Sequence, residues 1–390
     1  MTLDRFQAEL ADVLPEMIEL RHHIHQHPEL AFEEHATSDL VAARLESWGY
    51  AVHRGLGGTG VVGRLRCGSG KKCLGIRADM DALPIVEATG LPYASAHAGK
   101  MHACGHDGHT ATLLAAARHL ARTRRFNGTL NLIFQPAEEG AGGAKKMIED
   151  GLFEQFPCDA VFALHNAPGK AAGTLAFRAG AALASADRVA ITIHGQGGHA
   201  AMPQRSQDPI VAGSAIVMAL QTIVSRNVDP LDAAVITVSV FQSGLANNVI
   251  PGSARLELSV RALDRDVRLR LKQRIHELVA LQAQSFGVRA EVDWRDGYPV
   301  LVNTPEETAF ATQVAIELLG PAKVEAEAQP VTGSEDFAFM LEQRPGCYLF
   351  LGNGDGAGSC MVHNPGYDFN DASMEVGAAY WSLLTERFLA

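Results

Sequence analysis

Residues 101–140, MHACGHDGHTATLLAAARHLARTRRFNGTLNLIFQPAEEG, carry the alternation on which the fold reading turns. A helix of mostly small residues, Thr110 to Leu120, is followed by the apolar run Leu130-Asn131-Leu132-Ile133-Phe134, which reads as a strand. Helix and strand in alternation are the pattern of an α/β layered fold. The strand leads into Glu138-Glu139 and a glycine-rich turn. In front of the helix, Met101 to His109 hold three histidines, one cysteine and one aspartate, with Met101 the only large apolar side chain. A packing segment does not spend side chains this way, because buried imidazoles and carboxylates each need a partner. Thiolate, imidazole and carboxylate are ligands of zinc and similar divalent ions. The bland alternative is a set of histidines at a helix start.

The same alternation extends outward. Phe6 to His25 reads as an amphipathic helix stopped by His27-Pro28, and Glu33 to Trp48 as a second helix ended by Gly49. Strands are expected at Gly60–Leu65, Cys73–Arg77 and Ala160–Leu164, the last delivering His165. Near residue 185 the texture changes. Arg188–His194 alternates, with Val189, Ile191 and Ile193 on one face. A helix Pro209–Val224, strands Val235–Phe241 and Arg255–Arg261, a helix Asp264–Phe286 and a strand Arg289–Trp294 complete a βαββαβ succession. The expectation is an α/β catalytic domain with a mixed sheet, residues 1–185 and 297–390, interrupted by a smaller ferredoxin-like α+β lid at 186–296.

Composition fits this two-domain reading: 390 residues exceed what one core usually organises, and 47% hydrophobic residues supply two. A formal charge of −11 argues against nucleic acid as a partner. No run reads as the ~20 apolar residues of a bilayer span, so no membrane is expected. The first residues lack the basic and apolar regions of a signal peptide, and six scattered cysteines do not form a disulfide scaffold. A reducing, cytoplasmic setting is the expectation.

Other segments carry chemistry with less certainty when taken singly. Glu138-Glu139 at a strand exit offers one carboxylate for metal and one for protons, or two exposed glutamates in a turn. Asp79 and Asp81 end another apolar strand, where a carboxylate can orient an imidazole or merely cap a turn. His363 sits in a sharp turn before Asn364-Pro365-Gly366. Thr332 to Phe337 reads first as a helix start with Ser334 as cap. His199 stands on a loop with glycines at 195, 197 and 198, and Asn247-Asn248 offer amides before Val249. His22, His23, His25 and His27 fall on different faces of a helix end and are read as non-ligands.

Together the segments RHHIHQHPEL (21–30), RADMDALP (77–84), MHACGHDGHTA (101–111), FQPAEEG (134–140), GQGGHAAMP (195–203), NNVIP (247–251) and GSEDFA (333–338) resemble the metallopeptidase family of aminoacylases, succinyl-diaminopimelate desuccinylase and glutamate carboxypeptidase. The match is to its amidohydrolase branch of hippurate hydrolases, N-acetyldiaminopimelate deacetylases and auxin-conjugate hydrolases. The resemblance implies that Cys104, His106, Glu139, His165 and His363 bind two divalent metal ions. It makes Glu138 the general base, Asp79 the supporting acidic residue, and His199 the lid group that reaches a substrate carbonyl. Asn247 and Asn248 are candidate substrate contacts. Zinc suits the thiolate and manganese is common in the branch, with nickel and cobalt further candidates. The wider family has a histidine near Arg77 and acidic ligands near Cys104 and His165, so this chain departs from it there. The implied activity is hydrolysis of N-acyl amino acids by a homodimer or homotetramer joined through the lid. A dedicated N-acetyldiaminopimelate deacetylase, a small dipeptidase or carboxypeptidase, and an inactive metal-binding relative are the alternatives.

Overall fold

The computed structural model describes residues 2–356 and 360–390, and they form two compact units. The larger comprises Met1–Gly180, Val302–Gln329 and Asp336–Ala390; the smaller comprises Ala181–Leu301 and Pro330–Glu335.

In the larger unit the chain runs through α1 (Thr2–Leu10), α2 (Leu14–Gln26), α3 (His35–Ser47), β1 (Ala51–Leu56), β2 (Gly60–Cys67), β3 (Cys73–Asp79), α4 (His106–Thr123), β4 (Gly128–Gln135) and β5 (Ala160–Pro168). An eight-stranded sheet has the order β1-β2-β4-β3-β5, then Gly346–Gly354, Leu175–Ala176 and Val324–Glu325. β2 is antiparallel to β1 and β4, whereas β3 is parallel to β4 and β5, so the sheet is mixed as expected. All eight residues of β4 are buried, which is why its sequence reads as a continuous apolar run and not an alternation. Leu130, Leu132, Ile133 and Phe134 are each 0% exposed, and each contributes roughly 1.5–3 kcal/mol by leaving water. Register does the positioning. Asp79 pairs with Gln135, and Arg77 with Ala163, so β3 and β4 end at one level and β5 passes that level near His165, with the following segments of β3 and β4 on the same side. In open α/β sheets sites form at such ends.

Three local readings change. The helix expected over 6–25 is two helices, because Pro15 lies in the first turn of α2 and has no N–H to continue α1. β1 was not expected, since its exposed edge gives AVHRGL no apolar periodicity. Helix α4 starts at His106, not Thr110, preceded by Gly105 at φ 93°. A Cβ on Gly105 would lie 2.3 Å from Asn166 Nδ2 and 2.6 Å from Tyr367 Oη, so only glycine lets the chain turn into the helix there.

The smaller unit is an antiparallel sheet in the order Ala234–Ser243, Ser253–Ala262, Ala186–His194, Arg289–Tyr298. Helices Pro209–Asn227 and Arg265–Ser285 connect its strands as the βαββαβ pattern requires. Asp208 and Asp264 cap the two helices, each accepting two backbone N–H groups. The unit extends beyond the expected 186–296 because distant backbone pairs with it: Ala184 N–H donates to Val331 O at 3.2 Å and Gly333 O at 2.9 Å. The membrane reading also needs correction. Helix Pro209–Asn227 is by length and composition long and apolar enough to cross a bilayer. Its Ala212, Ile216, Leu220 and Ile223 are buried in the core of this unit with Leu256 and Leu271, whereas Val211 and Met218 on the same helix are exposed.

Candidate metal centre

The expected ligands converge in the larger unit. Cys104 comes from the segment just before α4, His106 from its first residue, Glu139 from the turn after β4, His165 from β5 and His363 from the segment after Gly346–Gly354. Cys104 Sγ lies 3.3 Å from His165 Nε2, and His363 Nε2 lies 3.1 Å from Glu139 Oε1. Donor atoms of Cys104, His106 and His165 lie within 4.8 Å of one another, and so do those of Cys104, Glu139 and His363. The two groups share the Cys104 thiol. His106 with Glu138 and Glu139, and Asp79 with His106 and His109, also meet that spacing.

Hydrogen bonds decide which nitrogens are free. His165 Nδ1 donates to Asn166 O at 2.8 Å, turning Nε2 toward Cys104. His106 Nδ1 lies 3.2 Å from Asp81 Oδ1, while its Nε2 is buried with no hydrogen-bond partner. His109 is different. Its Nδ1 lies 2.6 Å from Asp79 Oδ1, and its Nε2 accepts the Asn166 N–H at 3.0 Å, so both ring nitrogens are committed and it is not a ligand. Asn166 in turn donates to Cys104 O at 2.6 Å and accepts from Tyr367 Oη at 2.6 Å.

Electrostatics favours a cation. Burial, with Glu139, Glu138 and Asp79 nearby, pushes the Cys104 thiol well above the usual range. Burial and the neighbouring His109 hold His165 well below the usual imidazole range, which keeps it neutral and able to coordinate. Burial opposes charge on His106, but Asp79 and Asp81 outweigh it and raise this imidazole to about 10. Burial likewise opposes charge on Asp79, yet His106, Arg77 and His109 hold its carboxyl well below the usual carboxylate range. A buried thiol, carboxylates and an orphaned imidazole nitrogen in one pocket suit a divalent ion, because coordination removes the thiol proton and satisfies the orphan.

Carboxylates behind the ligands divide their work in a way the motifs did not reveal. Asp79, read as the supporting acid, is 3.7 Å from His106 Nε2 and is held by Arg77 Nη1 at 2.7 Å. Asp81 both faces His106 Nδ1 and accepts the Glu139 N–H at 2.9 Å. Asp336 does not cap its own helix through its side chain. It accepts from Gln135 Nε2 at 2.8 Å and Ala144 N at 2.8 Å, and its own N–H lies 3.4 Å from Glu138 Oε1. The expected cap Ser334 lies in the other unit. Adjacent acidic residues at a strand end were the only signal for Asp81; nothing local signalled Asp336 or Asn166. Glu138 is 6% exposed. Ala137 and His363, beside Glu138 and at a ligand position, are two of the four non-glycine residues with positive φ among the described residues; strain of this kind gathers at working sites.

In the smaller unit, His199 pairs with Val249 in a short antiparallel ladder, and Ala200 N–H donates to Asn248 O at 3.0 Å. Two loops 48 residues apart in sequence, His199 and Asn247, are thereby joined. His199 Nδ1 accepts from Ala201 N at 3.0 Å, and His199, Asn247 and Asn248 are exposed. The N-terminal histidines are engaged elsewhere: His25 faces Asp107 at 2.9 Å, His22 faces Asp371 at 2.8 Å, and His23 lies against His27.

The chain is similar to several known proteins along most of its length. The chain is 45% identical over 381 residues to hippurate hydrolase of Campylobacter jejuni, covering 98% of each. It is 40% identical over 377 residues to N-acetyl-L-cysteine deacetylase of Bacillus subtilis, covering 95% of this chain and 88% of the relative. A solved dinuclear metal binding peptidase of family M20 from Bacillus subtilis has a TM-score of 0.84 at 32% identity, over 96% of this chain and 98% of that one. With residues 75–387 matching the model of peptidase family M20/M25/M40, and the strand-end cluster lying inside that span, the chain belongs to this family.

Proposed function

We propose that the chain is a metal-dependent amidohydrolase that cleaves the amide bond of N-acyl amino acids, giving a carboxylic acid and a free amino acid. The observation that carries the reading is the pair of donor groups sharing Cys104 beside the buried carboxyl of Glu138. Cys104, His106, Glu139, His165 and His363 hold two divalent ions, zinc or manganese. When bound, such ions activate water and polarise the scissile carbonyl. Glu138 takes a proton from the attacking water as the carbon–oxygen bond forms, and returns it to the nitrogen as the carbon–nitrogen bond breaks. Asp79 and Asp81 keep His109 and His106 oriented from behind. His199 is assigned to the substrate carbonyl oxygen and Asn247 with Asn248 to the rest of the substrate. A cytoplasmic setting keeps the Cys104 thiol reduced, and copies associate through the smaller unit, which light scattering tests directly.

Release of free amino acid from a panel of N-benzoyl and N-acetyl amino acids and dipeptides, with Zn²⁺ or Mn²⁺, tests the activity. N-benzoyl or N-acetyl substrates are expected to turn over. Turnover of dipeptides alone would replace this reading with that of a peptidase, and turnover of nothing would leave a metal-binding protein.

A further inference from the structure

Behind the Glu138–Glu139 pair lies a third carboxyl that the reaction does not use. Glu34 is 0% exposed and stands just before α3. Its Oε1 accepts the Ala137 N–H at 2.8 Å, and its Oε2 accepts the Thr59 hydroxyl at 2.6 Å. Although Glu34 stands at the N-cap position, its side chain does not cap the helix: the N–H groups of Ala36 and Thr37 go to Glu29 at 2.9 and 2.8 Å. Ala137 has φ 55°, a left-handed conformation disfavoured for any residue with a β-carbon. Its carbonyl is also held, accepting the Gly143 N–H at 3.0 Å. Both polar groups of a strained residue are thus fixed, immediately before the two glutamates. Keeping a carboxyl there is costly, since burial raises Glu34 to about 7 although Thr59 and backbone N–H groups bond to it.

We infer that Glu34 is a positioning residue: with Thr59 it holds the Ala137 turn in its left-handed state and thereby sets where Glu138 and Glu139 point. The inference rests on the roles proposed above for that pair. The alternative is a buried polar contact that contributes to stability alone, and the two differ in what they move. A structural contact changes the melting temperature; a positioning residue changes kcat and ion affinity as well.

The test uses the metal-loaded enzyme, with Zn²⁺ affinity read by competition against a chromophoric chelator and steady-state kinetics on the best N-acyl substrate. Glu34→Leu is expected to lower kcat by about 30-fold or more with KM little changed, as a misplacement near 1 Å can cost 10²-fold, and to weaken Zn²⁺ binding. Glu34→Gln is expected to stay within about threefold of wild type, because an amide can accept from Ala137 and donate to Thr59. Adding Ala137→Gly to Glu34→Leu is expected to recover part of kcat, as glycine adopts positive φ without strain. If Glu34→Leu does not fold, Thr59→Val, which removes one bond of the pair, is expected to lower kcat severalfold. Wild-type kcat and Zn²⁺ affinity in Glu34→Leu or Thr59→Val would overturn the inference, as would a Glu34→Gln variant as impaired as Glu34→Leu. Wild-type enzyme measured alongside separates the two readings: absence of turnover or ion binding there overturns the proposed function, whereas variant-to-wild-type ratios near one overturn only the role of Glu34.

Discussion

Glu138→Gln keeps the volume of a side chain that is 6% exposed but cannot accept a proton. Folding and ion content are expected to stay near wild type while kcat falls by about 10²–10⁴-fold; metal analysis beside steady-state kinetics checks both. Glu34 gives a prediction of the opposite kind, about stability. Its ordinary value is 4.5 and burial raises it to about 7. Between those values the folded chain binds more protons than the unfolded chain, so this group's contribution to stability is present at low pH and is lost as pH rises through about 7. Glu34→Gln cannot titrate, so relative to wild type it is expected to gain stability from pH 5 to pH 8, by on the order of a few kcal/mol. Denaturant unfolding at the two pH values measures the difference, and an unchanged gap would refute it. At this scale the candidate ligands stood out because thiol, imidazole and carboxylate are rare together. Asp81 was read only as one of two carboxylates able to orient an imidazole, and Glu34 and the role of Asp336 were not legible, because a carboxylate that serves another group looks like any surface acid until its partner is in place.

The helix Asp371–Phe388 of the larger unit is buried along most of its length. Thirteen of its residues are buried, among them Tyr380, Trp381, Leu383 and Leu384, so it is apolar around most of its circumference. Leu383→Ala is expected to cost about 2–5 kcal/mol, read from chemical denaturation, with kcat per folded molecule little changed because Leu383 is a core side chain and none of the candidate ligands. A fall in kcat at constant ion content would show that the helix also tunes the site. Elements with a buried face were legible, such as β4, β5 and the strand Ala186–His194 of the smaller unit. Exposed β1 and the start of α4 were not. In the latter, polar residues at 106–109 belong to a helix whose first turn is buried, and periodicity cannot report an element buried on every side.

For the whole molecule, ion removal is the decisive perturbation. The proposed ligands come from four separate segments between residues 104 and 363, so ions bound to the folded chain tie together pieces that unfolding separates. A ligand at 1,000 times its Kd stabilises by about 4.1 kcal/mol; chelation is therefore expected to lower Tm as well as activity, and added Zn²⁺ or Mn²⁺ to restore both. Chelation that abolished activity at constant Tm would place the ions outside this linkage. By itself the sequence determined the α/β class and the βαββαβ insertion and nominated the ligand candidates, because the first two rest on local periodicity and the last on motifs rich in thiol, imidazole and carboxylate side chains. Tertiary structure alone decided the register that aligns Asp79 with Gln135, the commitment of both His109 nitrogens, and the joining of the His199 and Asn248 loops. Each of these is a pairing between residues far apart in the chain, and no local pattern records which distant partner a strand or a polar atom will meet.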